Sequence, residues 1–411
     1  MDMDDKRSCQ KPHEVRIHNQ RLILSYLQKR PTTVKDLSIF TGLSLTSILK
    51  AINYLREKGM VVSVGKGDST GEGGKRPDLY LVNRDYKYAV GCFVSNNQSV
   101  ILLTDYLNRK IDFEEFFFEI TNPFEQTTRL MADKIHSILK RNQISADKVC
   151  GAAFTFDGIV NSADGIINYP VHNISWGTNI DALTVIRRFL PDIPTILIGN
   201  TSRLGAYIIL DYDSEYRNKK IYVISSGSNY TGGCMLNHGY IENGSHGLLG
   251  ELGHTIEGNA EKNSVYKFED IVSEQYLFNL ALKSSNIPFL YEEKVLYDKL
   301  ENGKANLKDF LIAANNGNKY AQDVIMPAIK SYAILIRNIE LLCDPDLIII
   351  YGAYAFGGKY FKDQISNELK KSMLHTLTGD VPFEMITTDD YLFFSGATQY
   401  TIDQDIRTAI C

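Results

Sequence analysis

Two glycine-stopped helices followed by a glycine-rich, basic hairpin, between Thr33 and Asn83, constrain the fold of this chain more than any other stretch. Thr33-Val-Lys-Asp36 has the spacing of a capping box, in which Thr33 accepts from the backbone N–H of the third helical residue and Asp36 reaches back. That helix ends at Gly42, and Ser44 caps a second one, Leu45–Lys58, which stops at Gly59. Paired helices joined by a tight glycine turn are the signature of a helix-turn-helix. Upstream, residues 14–28 place Ile17, Leu24 and Leu27 near one helical face, with Ile23 at its edge. Downstream, Met60–Val64 and Asp78–Val82 read as the strands of a hairpin. The loop between them holds five glycines from Gly65 to Gly74, then Lys75-Arg76-Pro77. The pattern predicts a winged helix with a basic wing.

The second helix divides by chemistry. Leu45, Ile48, Leu49, Ile52 and Leu55 are assigned to the core. Thr46, Ser47 and Lys50 are small or basic and, with Ser44, lie near the helix N-terminus, where base contacts fall in this motif. Lys75 and Arg76 suit phosphate or a minor groove. Charge agrees with this partition: residues 1–83 hold 14 Lys+Arg against 9 Asp+Glu, a net of +5, while the other 328 residues hold 30 against 40, a net of −10. A basic head on an acidic body points to a double-stranded DNA operator as the partner of the head alone. A winged helix used for protein contacts is the alternative.

At 411 residues the chain is too long for one simple core. Its polar, acidic start has no apolar signal-peptide core behind it, and no apolar run approaches the ~18–20 residues that a membrane helix needs. The six cysteines are scattered without paired spacing, as buried thiols of a reducing compartment are. The expectation is a cytoplasmic protein with no membrane partner.

From Tyr88 the pattern turns to strands. KYAVGCFV, QSVILLTDY and RKIDFEEFFFEI are three β-rich runs, followed by a helix over 123–142 and a strand VCGAAFTF that leads into Asp157-Gly158. KKIYVISSG, TGGCMLNHG and YIENGSHG repeat the strand–turn–strand design. Helices at about 269–283, 294–301, 306–315 and 318–342 then precede the buried strand LIIIYG. The design is that of a duplicated α/β lobe.

Six stretches, in order, resemble the regulator form of the ROK (repressor, open reading frame, kinase) family. These are HNQRLILSYL, GGKRPDLYLVN, DGIVNSADGIINYP, SWGTNIDALTVIRRFLPDIPTILIGN, HGYIENGSHGLLGELGH and DPDLIIIYG. The resemblance implies an α/β fold in which a winged helix-turn-helix over residues 1–84 precedes a sugar-sensing ROK domain over 85–411. That domain would be two-lobed, actin-like or hexokinase-like (ribonuclease H-like), with its cleft near 200–205.

The chain departs from the family's kinase pattern at three places. The first phosphate turn, D-x-G-G-T in the family, corresponds to Phe93-Val-Ser95-Asn96-Asn97. The Asn-Asp pair that carries the general base corresponds to Asn200-Thr201, and a threonine is no base at neutral pH. The second phosphate turn, G-T-G-x-G, corresponds to Gly227-Ser-Asn229-Tyr-Thr231. Side chains in such turns crowd a nucleotide that bare glycine backbone would admit. No catalytic residue is therefore assigned. The family's zinc cluster of cysteines is also missing: His254 is followed by TIEGNAEKNSVYKFED, so no metal or other cofactor is implied, and Tyr266 and Phe268 are expected to anchor the loop by packing.

What remains by resemblance is the sugar side: Gly158, Asn200, Glu251, His254 and Glu269 match residues that approach or contact the sugar, and His172 lies where relatives carry a polar group. Carboxylate, amide and imidazole suit vicinal hydroxyls because each offers paired hydrogen-bonding sites. Asn200 also has the position of a cap for the helix that follows it, and Gly158 that of a turn residue. The reading is a sequence-specific DNA-binding repressor of carbohydrate-utilisation genes, a homodimer or dimer of dimers, controlled by a sugar or sugar phosphate. Its rivals are an active sugar kinase with an accessory head and a DNA-binding protein whose body only dimerises.

Overall fold

A computed structural model describes residues 12–68, 76–227, 230–259, 264–283, 290–371, 381–387 and 390–410. The chain opens with α1 (Pro12–Lys29), β1 (Thr32–Thr33), α2 (Val34–Thr41), α3 (Leu45–Glu57), β2 (Val61–Lys66) and β3 (Asp78–Val82). Then come β4 (Tyr88–Ser95), β5 (Gln98–Asp105), β6 (Lys110–Phe117), α4 (Phe124–Arg141), β7 (Val149–Phe156), β8 (Gly158–Asn161), β9 (Ile166–Pro170), β10 (Ile180–Asp181), α5 (Ala182–Phe189) and β11 (Ile196–Asn200). Next are α6 (Thr201–Ala206), β12 (Lys220–Ser226), β13 (Thr231–Asn237), β14 (Tyr240–Ile241), β15 (Ile256–Asn259), β16 (Ser264–Lys267), α7 (Phe268–Val272) and α8 (Glu274–Lys283). The remainder is α9 (Tyr291–Glu301), α10 (Leu307–Asn315), α11 (Lys319–Cys343), β17 (Leu347–Gly352), α12 (Gly358–Leu369), β18 (Phe383–Ile386) and α13 (Asp390–Ala409).

The described residues divide into two compact units. The first takes the chain up to Phe154, Leu183–Leu197 and the chain from Ala397 onward; the second takes Thr155–Ala182 and Ile198–Gly396. The first unit begins with the expected winged helix, in which β1, β3 and β2 form a small antiparallel sheet behind α1–α3. Thr33 accepts from Asp36 N at 3.1 Å, as the capping box requires, but the Asp36 carboxylate takes the Thr33 hydroxyl at 2.8 Å instead of reaching a backbone N–H. Gly42 ends α2 at φ 69°, a left-handed value that favours glycine.

The core of the head is not closed by the head alone. Ile23, Leu24, Leu27, Ile48, Ile52, Leu55, Met60 and Val82 bury themselves in one cluster with Ala89, Tyr106, Cys150, Ile402, Ile406 and Ile410. A polar contact crosses this junction, with Arg21 Nη2 donating to Arg407 O at 3.3 Å, and Asp405 of the same helix takes Lys87 Nζ at 2.7 Å and the Tyr106 hydroxyl at 2.7 Å beside it. The larger sheet of this unit runs β11-β7-β4-β5-β6, with β4 and β5 buried along nearly their whole length.

In the second unit a five-stranded sheet runs β14-β13-β12-β17-β18, antiparallel from β14 to β12 and parallel from β12 to β18. The apolar faces of α7, α8, α10, α11 and α12 build its main core with Ile224, Ile348 and Ile350. Two expectations need correction here. The helix read over 269–283 is broken, because Ser273 is extended (ψ 143°) and its hydroxyl accepts from Tyr276 N at 3.2 Å, which ends α7 and restarts the chain as α8. YIENGSHG supplies only the two-residue β14, after which the chain turns through Gly247 and Gly250, both at positive φ.

Candidate functional site

Asn200 organises a polar cluster inside the second unit. It ends β11, and its side-chain oxygen accepts from Arg203 N at 3.1 Å, capping α6. Its amide donates to Gly158 O at 2.9 Å and reaches Glu251 Oε1 at 3.4 Å. The helix cap and the bridge to Gly158 and Glu251 are thus made by one side chain. Gly158 has φ +131°, and a Cβ there would lie 2.1 Å from Tyr169 O, so the β8–β9 hairpin itself demands glycine.

Glu251 enters from a loop that glycine also makes possible. Gly250 (φ +96°) packs against the backbone of Gly233, where a Cβ would come within 2.1 Å of its carbonyl oxygen. Glu269, near the start of α7, lays its carboxylate against Gly253, where a Cβ would lie 2.4 Å from its Oε2. His254 lies in the same loop with an exposed side chain. Asp157 and His172 approach each other at 3.9 Å. The structure therefore brings Gly158, Asn200, Glu251 and Glu269 together, with His254 on the rim of the loop that carries Glu251.

Electrostatics single out Glu251. Burial pushes its carboxyl up to about 7; Arg203 pulls it down, and the neighbouring Glu269 and Asp157 push it up. Arg203 was not anticipated. It is 3% exposed, and one guanidinium nitrogen donates to both Val160 O (2.9 Å) and Gly247 O (3.1 Å). Burial lowers its pKa from the usual value, opposed by the charge of Glu251. Its place one turn after Asn200 was the only available signal, because its partners lie 43 and 44 residues away.

The residues that the resemblance sets against the family's kinase positions lie as follows. Thr201 begins α6 and directs its hydroxyl to Thr155 Oγ1 at 3.4 Å. Phe93 is buried in β4, and Asn96, at φ 54°, forms the tight β4–β5 turn with Asn97. Gly227 donates to Tyr230 O at 3.0 Å, and a Cβ on Gly227 would collide with the Tyr230 ring at 2.1 Å; Ser228 and Asn229 lie outside the described residues. Beyond the Glu251 loop, Phe268 is buried against Tyr332 with ring centroids 5.1 Å apart, whereas Tyr266, expected to pack there too, is 45% exposed on β16.

In the head, Ser44 caps α3, accepting from Ser47 N at 3.2 Å, and the two hydroxyls lie 2.9 Å apart. Thr46, Ser47, Lys50 and Arg76 are exposed, and Lys75 lies outside the described residues. Leu45 and Leu49 depart from expectation, at 51% and 44% exposed. Ile48, Ala51, Ile52 and Leu55 complete the buried stripe, and Leu49 sits about a third of a turn from its centre. The outer face of α3 is therefore partly apolar.

A winged helix is joined here to an α/β body of the fold that sugar kinases share. Residues 100–391 match the ROK family, and the chain belongs to that family. It is similar to the xylose repressor of Staphylococcus xylosus, 27% identical over 320 residues that cover 75% of each chain. It is 28% identical over 248 residues to the xylose repressor of Bacillus subtilis (strain 168), covering 60% of this chain and 62% of that one. The crystal structure of a ROK family transcriptional regulator described as a homolog of E. coli MLC protein superimposes with a TM-score of 0.73 at 18% identity, covering 97% of this chain and 98% of the other. No helix among the described residues is long and apolar enough to cross a membrane.

Proposed function

We propose that this chain is a sugar-responsive transcriptional repressor: residues 1–84 bind operator DNA, and residues 85–411 hold the effector at Gly158, Asn200, Glu251, His254 and Glu269. The observation that carries the reading is the joining, in one chain, of a winged helix to a ROK domain whose Asn200 amide bridges Gly158 O and Glu251. Two similar proteins are xylose repressors, which makes D-xylose the first effector to test. Asp157, Glu251 and Glu269 gather negative charge at the site, which favours a neutral sugar over a sugar phosphate.

The domain does not transfer phosphate in this reading. Thr201 stands where the family's base would be, Tyr230 covers Gly227, and neither arrangement supplies proton abstraction or a bare phosphate cradle. Ser44, Thr46, Ser47 and Lys50 face the major groove, with Leu45 and Leu49 available to thymine methyl groups, and Lys75 and Arg76 contact the backbone from the wing. A cytoplasmic homodimer would present two such heads to an inverted repeat. Sugar that prefers one conformation shifts the equilibrium between operator-bound and free forms.

The test is a thermal-shift screen with D-xylose, other neutral sugars and their phosphates, followed by operator release. A sugar at ~100 times its dissociation constant stabilises by ~2.7 kcal/mol and changes operator affinity. ATP-dependent phosphorylation of any of these sugars, or no response to all of them, overturns the proposal.

A further inference from the structure

Arg203 is an unusual residue to find at this site. A guanidinium that is 3% exposed needs hydrogen bonds and a countercharge to be tolerated. Its hydrogen bonds go to main-chain carbonyls that belong to the two segments framing the site. Val160 O is on β8, two residues beyond Gly158, and Gly247 O is on the loop that leads to Glu251. These segments touch: at Gly247 (φ +71°) a Cβ would come within 2.5 Å of Val160 O. Arg203 Nε has no hydrogen-bond partner among the described residues, and the clamp is made through one outer nitrogen, Nη2.

The countercharge is Glu251, the one carboxylate that acts on Arg203, with the buried thiol of Cys234 as the other neighbour. Around Glu251 the charged groups are Arg203 from α6, Glu269 from α7 and Asp157 after β7; Lys267 and His172 in turn approach those last two at 3.9 Å each. Among the described residues, Arg203 is therefore the single cation acting directly on Glu251 in an otherwise acidic cluster.

We infer that Arg203 is a positioning residue of the effector site, clamping the glycine-rich loop to β8 and fixing the orientation and charge of Glu251. The inference rests on the effector reading above. It adds a residue that touches no sugar but decides how Glu251 presents its carboxylate to one.

The test compares the full-length protein with Arg203→Met and Arg203→Lys, titrated calorimetrically with D-xylose between pH 5.5 and 8.5, in steps about half a unit apart. The wild type should lose affinity as pH falls through the range where Glu251 takes up a proton. In Arg203→Met the midpoint of that loss moves up by about one pH unit, and affinity at neutral pH drops about tenfold. Arg203→Lys keeps the charge, so the midpoint stays, while faster amide exchange in the 244–250 loop reports the lost bonds to Val160 O and Gly247 O. An unmoved midpoint in Arg203→Met overturns the inference. If D-xylose does not bind the wild type, D-xylose is not the effector, and the Glu251 carboxyl is followed directly by carbon NMR, assigned with Glu251→Gln. An upward move of its titration in Arg203→Met supports the inference and an unchanged titration sinks it. Should Arg203→Met not fold, Arg203→Gln, which keeps a donor but no charge, enters the same titration with the same criterion.

Discussion

Replacing Glu251 by glutamine should stabilise the protein at alkaline pH and leave it unchanged in acid. The folded-state pKa of Glu251, about 7, stands above the ordinary 4.5, with burial the leading cause. Between those two values the folded chain holds a proton that the unfolded chain has released. The native state is then favoured fully below about pH 4.5 and loses that contribution as pH rises through about 7. At about 1.4 kcal/mol per pH unit, the ceiling on the loss is about 3 kcal/mol. The carboxyl is partly exposed, so about 1–2 kcal/mol is the expectation after solvent screening. Glutamine keeps the shape and a donor without the ionisation. Trp176 offers the probe, since it is the only tryptophan and lies in the same unit as Glu251, 6.1 Å from the Phe156 ring. Urea unfolding followed by its fluorescence should give the variant a midpoint higher by about 0.5 M at pH 8, with equal slopes and a gap that closes towards pH 5. A gap of the same size at both pH values, or a less stable variant at pH 8, refutes the reasoning.

Lys50→Ala and Arg76→Ala should each weaken operator binding and lower the slope of log affinity against log salt by about 0.9, measured by fluorescence anisotropy over a salt series. Unchanged slopes in both would remove these residues from the interface. Gly158→Ala forces a side chain at φ +131° to within 2.1 Å of Tyr169 O, so a loss of about 2–4 kcal/mol, or no soluble protein, is expected from the same fluorescence assay. Wild-type stability in this variant would mean that the hairpin relaxes freely.

The features legible in the sequence are those whose determinants are local. Ser44 and Gly42 mark helix ends through bonds within five residues, so the head was readable almost to the residue. Alternation and buried runs located β4, β5, β7, β12 and β17 for the same reason. Leu45 and Leu49 misled because five apolar residues span more of a helix circumference than one core can cover, and the stripe that wins is chosen by tertiary packing. In the candidate cluster, Asn200, Glu251 and Glu269 were singled out by resemblance, and only the Asn200 cap was also readable from its neighbours. Arg203 was not, since nothing local distinguishes a buried clamp from a solvated arginine; its meaning comes from carbonyls on β8 and on a loop that folding brings to it.

The shared core of the head yields a further expectation. Ile402 and Ile406 on α13, with Ile410 just beyond it, are buried among Ile23, Leu24 and Met60, so the DNA-binding element is completed by residues more than three hundred positions downstream. A winged helix held only by its own 84 residues would expose that patch and lose the Arg21–Arg407 contact. Ile406→Ala should therefore cost about 2–4 kcal/mol, as buried isoleucine truncations do. The loss should fall on the first unit: amide exchange in α1 and α3 accelerates, while the fluorescence transition of Trp176 in the second unit stays in place. Operator affinity should fall with the head's order, and the thermal shift from any sugar that the wild type binds should persist. If α1 and α3 keep their protection in the variant, the final helix is not part of what holds the head together, and residues 1–84 fold without it.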